Sequence, residues 1–278
     1  MKYTIDTTKY IDKLLGFCKK HGLDINLEKP ITIQDKLCWL DIYDTDPLKV
    51  KCADKIKIHE YCVEKLGKDI CIPIIGIYNT TDDIDWKSLP NSFVAKCNHG
   101  SGMNIIVSDK TKLDVKDAVN KLNTWMRRDF AFQNGFEAHY HDIEKKIFIE
   151  QYMNDGHKDL IDYKILCFNG KPKFIQVIGG RNESTRHLNY YDENFNFVDI
   201  CRLDFKNNPS IKDNKPKNLN EMFELAEKLS QPFKFVRVDF YEIEGKVYLG
   251  ELTFTPGAMI FKYKNKEDNI KMGNYLKL

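Results

Sequence analysis

Up to about residue 75 the apolar positions recur at helical intervals. Ile11, Leu14, Leu15 and Cys18 form one stripe, and Ala53, Ile56, Ile58, Tyr61, Cys62 and Leu66 a second, with Gly67 as its stop. The DICIPIIGIYN segment that follows is dense in β-branched residues and predicts a buried strand. Asp82, Asp83, Asp85 and Pro90 form a polar connection. Short strands over 92–97 and 104–107 then flank Asn98-His99-Gly100-Ser101-Gly102, a hairpin whose small, polar tip suits a flap. Val115, Ala118, Val119, Leu122, Trp125 and Met126 predict a helix between 113 and about 131. Strands follow at 146–151 and 162–168. The latter turns at Asn169-Gly170 and returns over 173–178, the strongest short hairpin signal in the chain. Residues 189–197 alternate aromatic and polar, 205–217 read as an exposed loop, and 219–229 as a helix. A final hairpin pairs 235–241 with 247–252 through Glu244-Gly245 and closes at Pro256-Gly257. The pattern is α+β without internal repeats, in three parts: 1–90, 91–160 and 161–278.

Composition narrows this picture. Charged residues make up 30% and hydrophobic ones 42%, which excludes disordered and collagenous classes. A net charge of +2 does not point to nucleic acid or to a polybasic membrane anchor. No apolar run is long enough for a membrane span or an export signal, so a cytoplasmic protein is expected. The eight cysteines include no C-x-x-C pair and are expected to be reduced and mostly buried. His139 and His141 have no evident further ligands, which argues against zinc. Trp39, Trp86 and Trp125 read as core or interface anchors.

The last hairpin is densest in chemistry. Alternation places Arg237, Asp239 and Tyr241 on one face and Glu251 and Thr253 on one face of the neighbouring strand, while Val236, Val238 and Phe240 can face the core. The two carboxylates either share a cation, for which magnesium is the natural candidate, or lie on a solvated face and pair with Lys234 or Lys246. Lys96 and Lys164 sit on apolar strands and, with Arg181, could surround a triphosphate. His99 reads as a general base or as a hydrogen-bonded turn residue. Asp44-Thr45-Asp46 is a D-x-D triplet of the kind that holds a divalent ion in nucleotide-sugar enzymes.

The order Lys96, glycine loop, Glu150-Gln151-Tyr152-Met153, Asp162-Tyr163-Lys164, Arg181, Arg237-Val-Asp239 and Glu251-Leu-Thr253 with Pro256-Gly257 resembles the ATP-grasp superfamily. More narrowly, the run from Lys36-Leu-Cys-Trp39 through Ala53-Asp54-Lys55, KCNHGSG, DYKILCFNGK and GELTFTPG resembles the TupA-like ATP-grasp proteins of teichuronopeptide and bacterial surface-polysaccharide biosynthesis. The resemblance implies an ATP-grasp fold in which two sheet-containing lobes, 91–160 and 161–278, clamp ATP behind a helical and strand region at 1–90. It implies that Lys96 and Lys164 contact ATP phosphates and that His99, Gly100, Ser101 and Gly102 belong to a mobile loop over them. Glu150, Gln151, Tyr152 and Met153 would form the adenine hinge, with Asp162 near the ribose. Asp239, Glu251 and Thr253 would hold magnesium, Thr253 standing where many members carry asparagine. Arg181 would face the transferred phosphate or the acyl-phosphate, Arg237 would be a further catalytic residue, and Arg186 with Asn189 would serve the acceptor side.

The implied activity is an ATP-dependent carboxylate–amine ligase working through an acyl-phosphate. It would join an amino acid to a uronic acid or peptide-like carboxylate, at the inner face of the membrane where glycan precursors are made. Two other readings stay open: a nucleotide-sugar glycosyltransferase using Asp44-Thr45-Asp46, and a non-catalytic binder, which predicts an exposed apolar patch and no convergent pocket.

Overall fold

A computed structural model describes residues 2–154, 161–179, 186–205, 207–208, 210–211 and 213–278. Helix α1 (Ile11–Lys20) buries Leu14 and Cys18, in keeping with its stripe. Helix α2 (Ile33–Tyr43) has no one-sided stripe because Ile33, Leu37, Cys38, Leu40 and Ile42 are all buried around it. Thr32 and Asp35 cap its start reciprocally.

The second stripe divides into α3 (Pro47–Ala53) and α4 (Ile58–Leu66) rather than one helix. Asp54 is extended between them, and its carboxylate takes the Ile56 N–H at 2.9 Å, which ends one helix before the next begins. Gly67, at φ 70°, closes α4 in the left-handed region that glycine favours.

Four strands form the smaller sheet. They are β1 (Ile74–Tyr78), β2 (Phe93–Cys97), β3 (Asn104–Val107) and β4 (Ile147–Gln151), antiparallel in the order β1-β4-β2-β3. The strand expected to be buried, β1, is instead an edge whose Ile75 and Ile77 are 45% and 50% exposed. Because β1 precedes residue 90, this sheet reaches back across the boundary the sequence suggested. Helix α5 (Val115–Met126) stops short of residue 131, since Asp129 caps a separate turn at 130–132.

The larger sheet contains β5 (Asp162–Phe168), β6 (Lys171–Gly179), β7 (His187–Tyr191), β8 (Phe197–Val198), β9 (Phe235–Ile243) and β10 (Lys246–Thr253). It is antiparallel, in the order β10-β9-β5-β6-β7-β8. Asn169 and Gly170, at φ 49° and 75°, make the tight β5–β6 turn that their sequence foretold. The 205–217 segment is not simply exposed: the Asp213 carboxylate accepts from His187, Asn189 and Tyr191.

Helix α6 (Leu219–Ser230) covers the sheet, and its Leu229 carbonyl accepts the Tyr61 hydroxyl of α4 at 2.8 Å. One apolar cluster runs from Phe93, Ala95 and Ile149 of the small sheet to Ile165, Val236 and Val238 of the large one. A closing helix, α7 (Lys266–Tyr275), packs on the start of α2 through Gly273, where a Cβ would stand 2.2 Å from the Ile31 carbonyl. Among the described residues no helix is long and apolar enough to cross a membrane.

Candidate active site

In the β9–β10 ladder Glu251 stands opposite Asp239 and Thr253 opposite Arg237, after a register shift between Leu249 and Glu251. Val236, Val238 and Phe240 fill the core, as alternation requires, and the polar set occupies the other face. Lys164 on β5 is registered against Asp239, so a third strand brings its ammonium to the same place.

These groups form one network. Arg237 grips Asp239 with both ends of its fork, Nε to Oδ1 and Nη2 to Oδ2, each at 2.7 Å. The same Nη2 meets Glu251 Oε1 at 3.3 Å and Thr253 Oγ1 at 3.1 Å, and the Thr253 hydroxyl donates to Glu251 Oε1 at 2.9 Å. Lys164 Nζ lies 2.6 Å from Asp239 Oδ2 and 3.7 Å from Asp162 Oδ1. Neither Lys234 nor Lys246 takes these carboxylates. Lys234 Nζ instead sits over the Trp39 ring at 5.6 Å.

Burial opposes the Glu251 charge, but Lys55, Arg237 and Lys164, with the Thr253 hydroxyl, outweigh it and hold the carboxyl down at about 2. Burial raises Asp239 above its ordinary value, against the pull of Arg237 and Lys164.

The network opens on a cleft of about 160 Å³ between the sheets. Lys55, Lys96, Asp162, Lys164, Asp239 and Glu251 line it, together with Gly102, Met103 and Asn104 from the β2–β3 hairpin. Lys96, on β2, forms an ion pair with Glu150 of β4. Arg237 is not part of the lining and positions the carboxylates from behind.

Lys55, which no strand alternation or motif spacing marks, is a further cation of the cleft. Its Nζ donates to the Gly100 carbonyl at 2.5 Å and lies 3.8 Å from Glu251 Oε2, so it joins the hairpin tip to the carboxylate pair. The only sequence signal for it was its place in Ala53-Asp54-Lys55, within the resembling stretch.

The hairpin tip is anchored at its root. Asn98 is buried, donates to Asp54 Oδ1 and to the Glu144 carbonyl at 2.9 Å each, and accepts the Lys146 N–H at 2.8 Å. His99 turns away from the cleft: its Nε2 meets the Trp125 carbonyl at 3.2 Å, and burial lowers the imidazole to about 4. It is therefore neutral at physiological pH and is buried at the root of the loop. At Gly100 a Cβ would lie 2.4 Å from Met103 and Phe130 side-chain atoms, while Ser101 is exposed.

Other expected residues stand apart from the cleft. The Gln151 N–H is taken by the Pro73 carbonyl at 2.9 Å, and Tyr152 and Met153 are half-buried just beyond β4. Arg186 is exposed and stacks over Phe205 at 4.6 Å. Asn189 is buried and bound to Asp213 and the Asn208 carbonyl, so its amide serves the loop rather than an acceptor. Arg181 lies outside the described residues. Asp46 caps α3 through the Leu48 N–H at 2.9 Å and Asp44 pairs with Lys49 at 3.0 Å, so the D-x-D triplet is a helix connection. His139 faces Asp41 and His141 faces Asp129, so the two histidines form no common metal site.

Two antiparallel sheets enclosing a cleft, with lysines from both and paired carboxylates from one, define an ATP-grasp type of fold. The family described as TupA-like ATPgrasp matches residues 35–277, and the chain belongs to it. No curated protein shows significant similarity to the chain. Among solved structures, the D-alanine–D-alanine ligase of Bacillus anthracis complexed with ATP is 16% identical over 74% of this chain and 54% of its own, with a TM-score of 0.43. The Helicobacter pylori D-alanine–D-alanine ligase is 17% identical over 88% of this chain and 69% of its own, with a TM-score of 0.45. The Campylobacter jejuni biotin carboxylase–ATP-analogue complex is 13% identical over 97% of this chain and 53% of its own, with a TM-score of 0.47. The chain thus spans little more than half the length of several proteins it resembles in shape.

Proposed function

We propose that the protein is an ATP-dependent carboxylate–amine ligase that works through an acyl-phosphate. The observation that carries this reading is the convergence of Lys55, Lys96 and Lys164 on the Asp239–Glu251 pair beneath a glycine hairpin. A bound polyphosphate would take over the ammonium groups of Lys96 and Lys164 from Glu150 and Asp239, exchanging carboxylate for phosphate oxygens. Hard carboxylate oxygens side by side on paired strands, opening on the cleft, fit magnesium, with Thr253 as a neutral neighbour. Bound there, magnesium would offset charge developing on the transferred phosphate.

The residues of the chain orient and shield. A substrate carboxylate oxygen attacks the terminal phosphorus of ATP, the bond to the bridging oxygen breaks, and ADP leaves. An amine then attacks the acyl carbon, phosphate departs, and the amine loses a proton to give the amide. No protein nucleophile is needed. Arg237 keeps the two carboxylates oriented, and Lys55 ties Gly100 of the hairpin to Glu251, so closure over the nucleotide and the state of the carboxylate pair are linked. Arg181 and Arg186 are assigned to the transferred phosphate and the acceptor side through the family resemblance alone. That resemblance also supports a uronic acid or peptide-like carboxylate as donor and an amino acid as the amine, at the inner face of the membrane.

The test is ADP release in a matrix of carboxylates and amines, with hydroxylamine added to trap the acyl-phosphate as a hydroxamate. Hydroxamate formation that needs ATP, magnesium and a uronic acid supports the reading. Binding of UDP-sugars with no ATP turnover under any pairing would overturn it.

A further inference from the structure

Away from the cleft, four side chains with metal-binding chemistry meet where α4 turns into the segment before β1. His59 and Cys62 are three residues apart on α4 and so share a side of the helix. The left-handed turn at Gly67 then brings the chain back, and Asp69 and Cys71, two apart in extended chain, face the same way. One ligand atom each from His59, Asp69 and Cys71 lie within 4.8 Å of one another. Cys62 Sγ is 3.6 Å from Cys71 Sγ, and His59 Nδ1 is 2.7 Å from Asp69 Oδ2.

The Cys62–Cys71 separation matches one edge of a zinc tetrahedron, and Cys62 adjoins the His59–Asp69–Cys71 group through Cys71. Zinc–sulfur bonds of about 2.3 Å place two thiolates about 3.8 Å apart, and zinc bonds to nitrogen and oxygen of about 2.0–2.2 Å give slightly shorter edges. We infer that His59, Cys62, Asp69 and Cys71 form a closed binding site for a borderline-soft divalent cation, zinc(II) by ligand type. Two sulfurs and an imidazole select against magnesium and calcium, which take oxygen. Asp69 is already oriented by the backbone of Cys71: its Oδ1 accepts the Cys71 N–H at 2.9 Å, leaving Oδ2 toward His59. Cys62 is fully buried and Cys71 is 8% exposed, so the sulfurs face one another rather than water.

Loading the site releases the two thiol protons, and the single His59 proton, which Nδ1 donates to Asp69 in the unloaded site, is carried on Nε2 instead, so that Nδ1 and the Asp69 carboxylate are both free for the metal. The ion would fasten α4 to the strand segment that pairs with the active-site hairpin. Cys71 bridges to Leu249, and the Leu249 N–H donates to the Ile70 carbonyl at 2.8 Å, two residues before Glu251. This inference stands independently of the ligase reading.

The test is cobalt(II) titration of the reduced, chelator-stripped full chain, followed by zinc displacement. One equivalent should give the intense visible absorption of tetrahedral cobalt and a thiolate-to-cobalt band in the near ultraviolet, both removed by zinc. Zinc should raise the melting temperature by about 5 °C or more. Cys71→Ser should weaken cobalt binding about 100-fold and reduce the thiolate band. His59→Gln, at a partly exposed position, should alter the visible band while circular dichroism confirms the fold. Cys18→Ser, from the separate Cys18–Cys38 contact at 3.9 Å, should change nothing. A folded, reduced protein without the tetrahedral spectrum, or a spectrum indifferent to both Cys71→Ser and His59→Gln, would overturn the inference.

Discussion

Replacing Glu251 by glutamine keeps the size of the side chain and removes the charge that Lys55 and Arg237 face at 3.8 and 3.3 Å. The carboxyl is held at about 2 rather than its ordinary 4.5, which converts at about 1.4 kcal/mol per pH unit to roughly 3 kcal/mol at neutral pH. Its side chain is 31% exposed, and solvent screening reduces this to about 1–2 kcal/mol. For a chain of this size that is a drop in melting temperature of about 2–4 °C. The sign follows from the depressed value: the stabilisation is present above pH 4.5 and is lost as pH falls through 2. Differential scanning calorimetry of Glu251→Gln and wild type, without nucleotide, should therefore show a gap that is steady from pH 7 to about 5 and narrows below 4. Equal melting temperatures at pH 7, or a gap that stays constant down to pH 3, would refute the electrostatic reasoning. With nucleotide present, the extra stabilisation that magnesium adds to ATP should shrink in the variant.

Burial raises Asp41 to about 7 from its ordinary 3.8, so its contribution is fully present below 3.8 and is lost as pH rises through 7. Asp41→Asn keeps an oxygen for the Ala138 N–H, and urea unfolding should show it gaining roughly 2–4 kcal/mol on wild type between pH 4 and 8. Gly273→Ala drives a methyl into the Ile31 carbonyl and should cost about 1–3 kcal/mol, read by thermal melting, with α7 loosened first in hydrogen exchange. Asn98→Ala removes a donor from the Asp54 carboxylate, which keeps the backbone N–H groups of Ile56 and Lys57, and takes partners from the Glu144 carbonyl and the Lys146 N–H; a loss of about 2–3 kcal/mol in chemical denaturation is expected, with faster proteolysis at 98–104.

The sequence carried the strands of the site clearly because alternation and turn chemistry are local. Asn169-Gly170 and Glu244-Gly245 fix two hairpins, but the second turn alone would set Gly250 opposite Asp239; Glu251 takes that place only through the register shift between Leu249 and Glu251, which no turn signal announces. What was illegible depended on contacts far apart in the chain. Lys55 reaches the cleft only because α3 ends at Asp54, whose carboxylate is shared with Asn98, 44 residues away. For His99 the sequence left a general base and a hydrogen-bonded turn residue equally open, because its partner, the Trp125 carbonyl, lies 26 residues away. Helix α2 hid because a helix buried all round has no stripe, and α7 because its packing depends on a missing Cβ at Gly273. The cysteines seemed scattered because Cys62 and Cys71 are brought together by the Gly67 turn, not by a C-x-x-C spacing.

The central claim is that Lys96, Lys164 and the Asp239–Glu251 pair hold a magnesium–nucleoside triphosphate. It is tested most directly by isothermal titration of a non-hydrolysable ATP analogue into the full chain, with and without magnesium, for wild type, Lys96→Met and Glu251→Gln. The account predicts one equivalent bound, weakened at least about tenfold by Lys96→Met in either condition, and a magnesium dependence that Glu251→Gln largely removes. No binding to wild type, or binding that neither substitution changes, would contradict it.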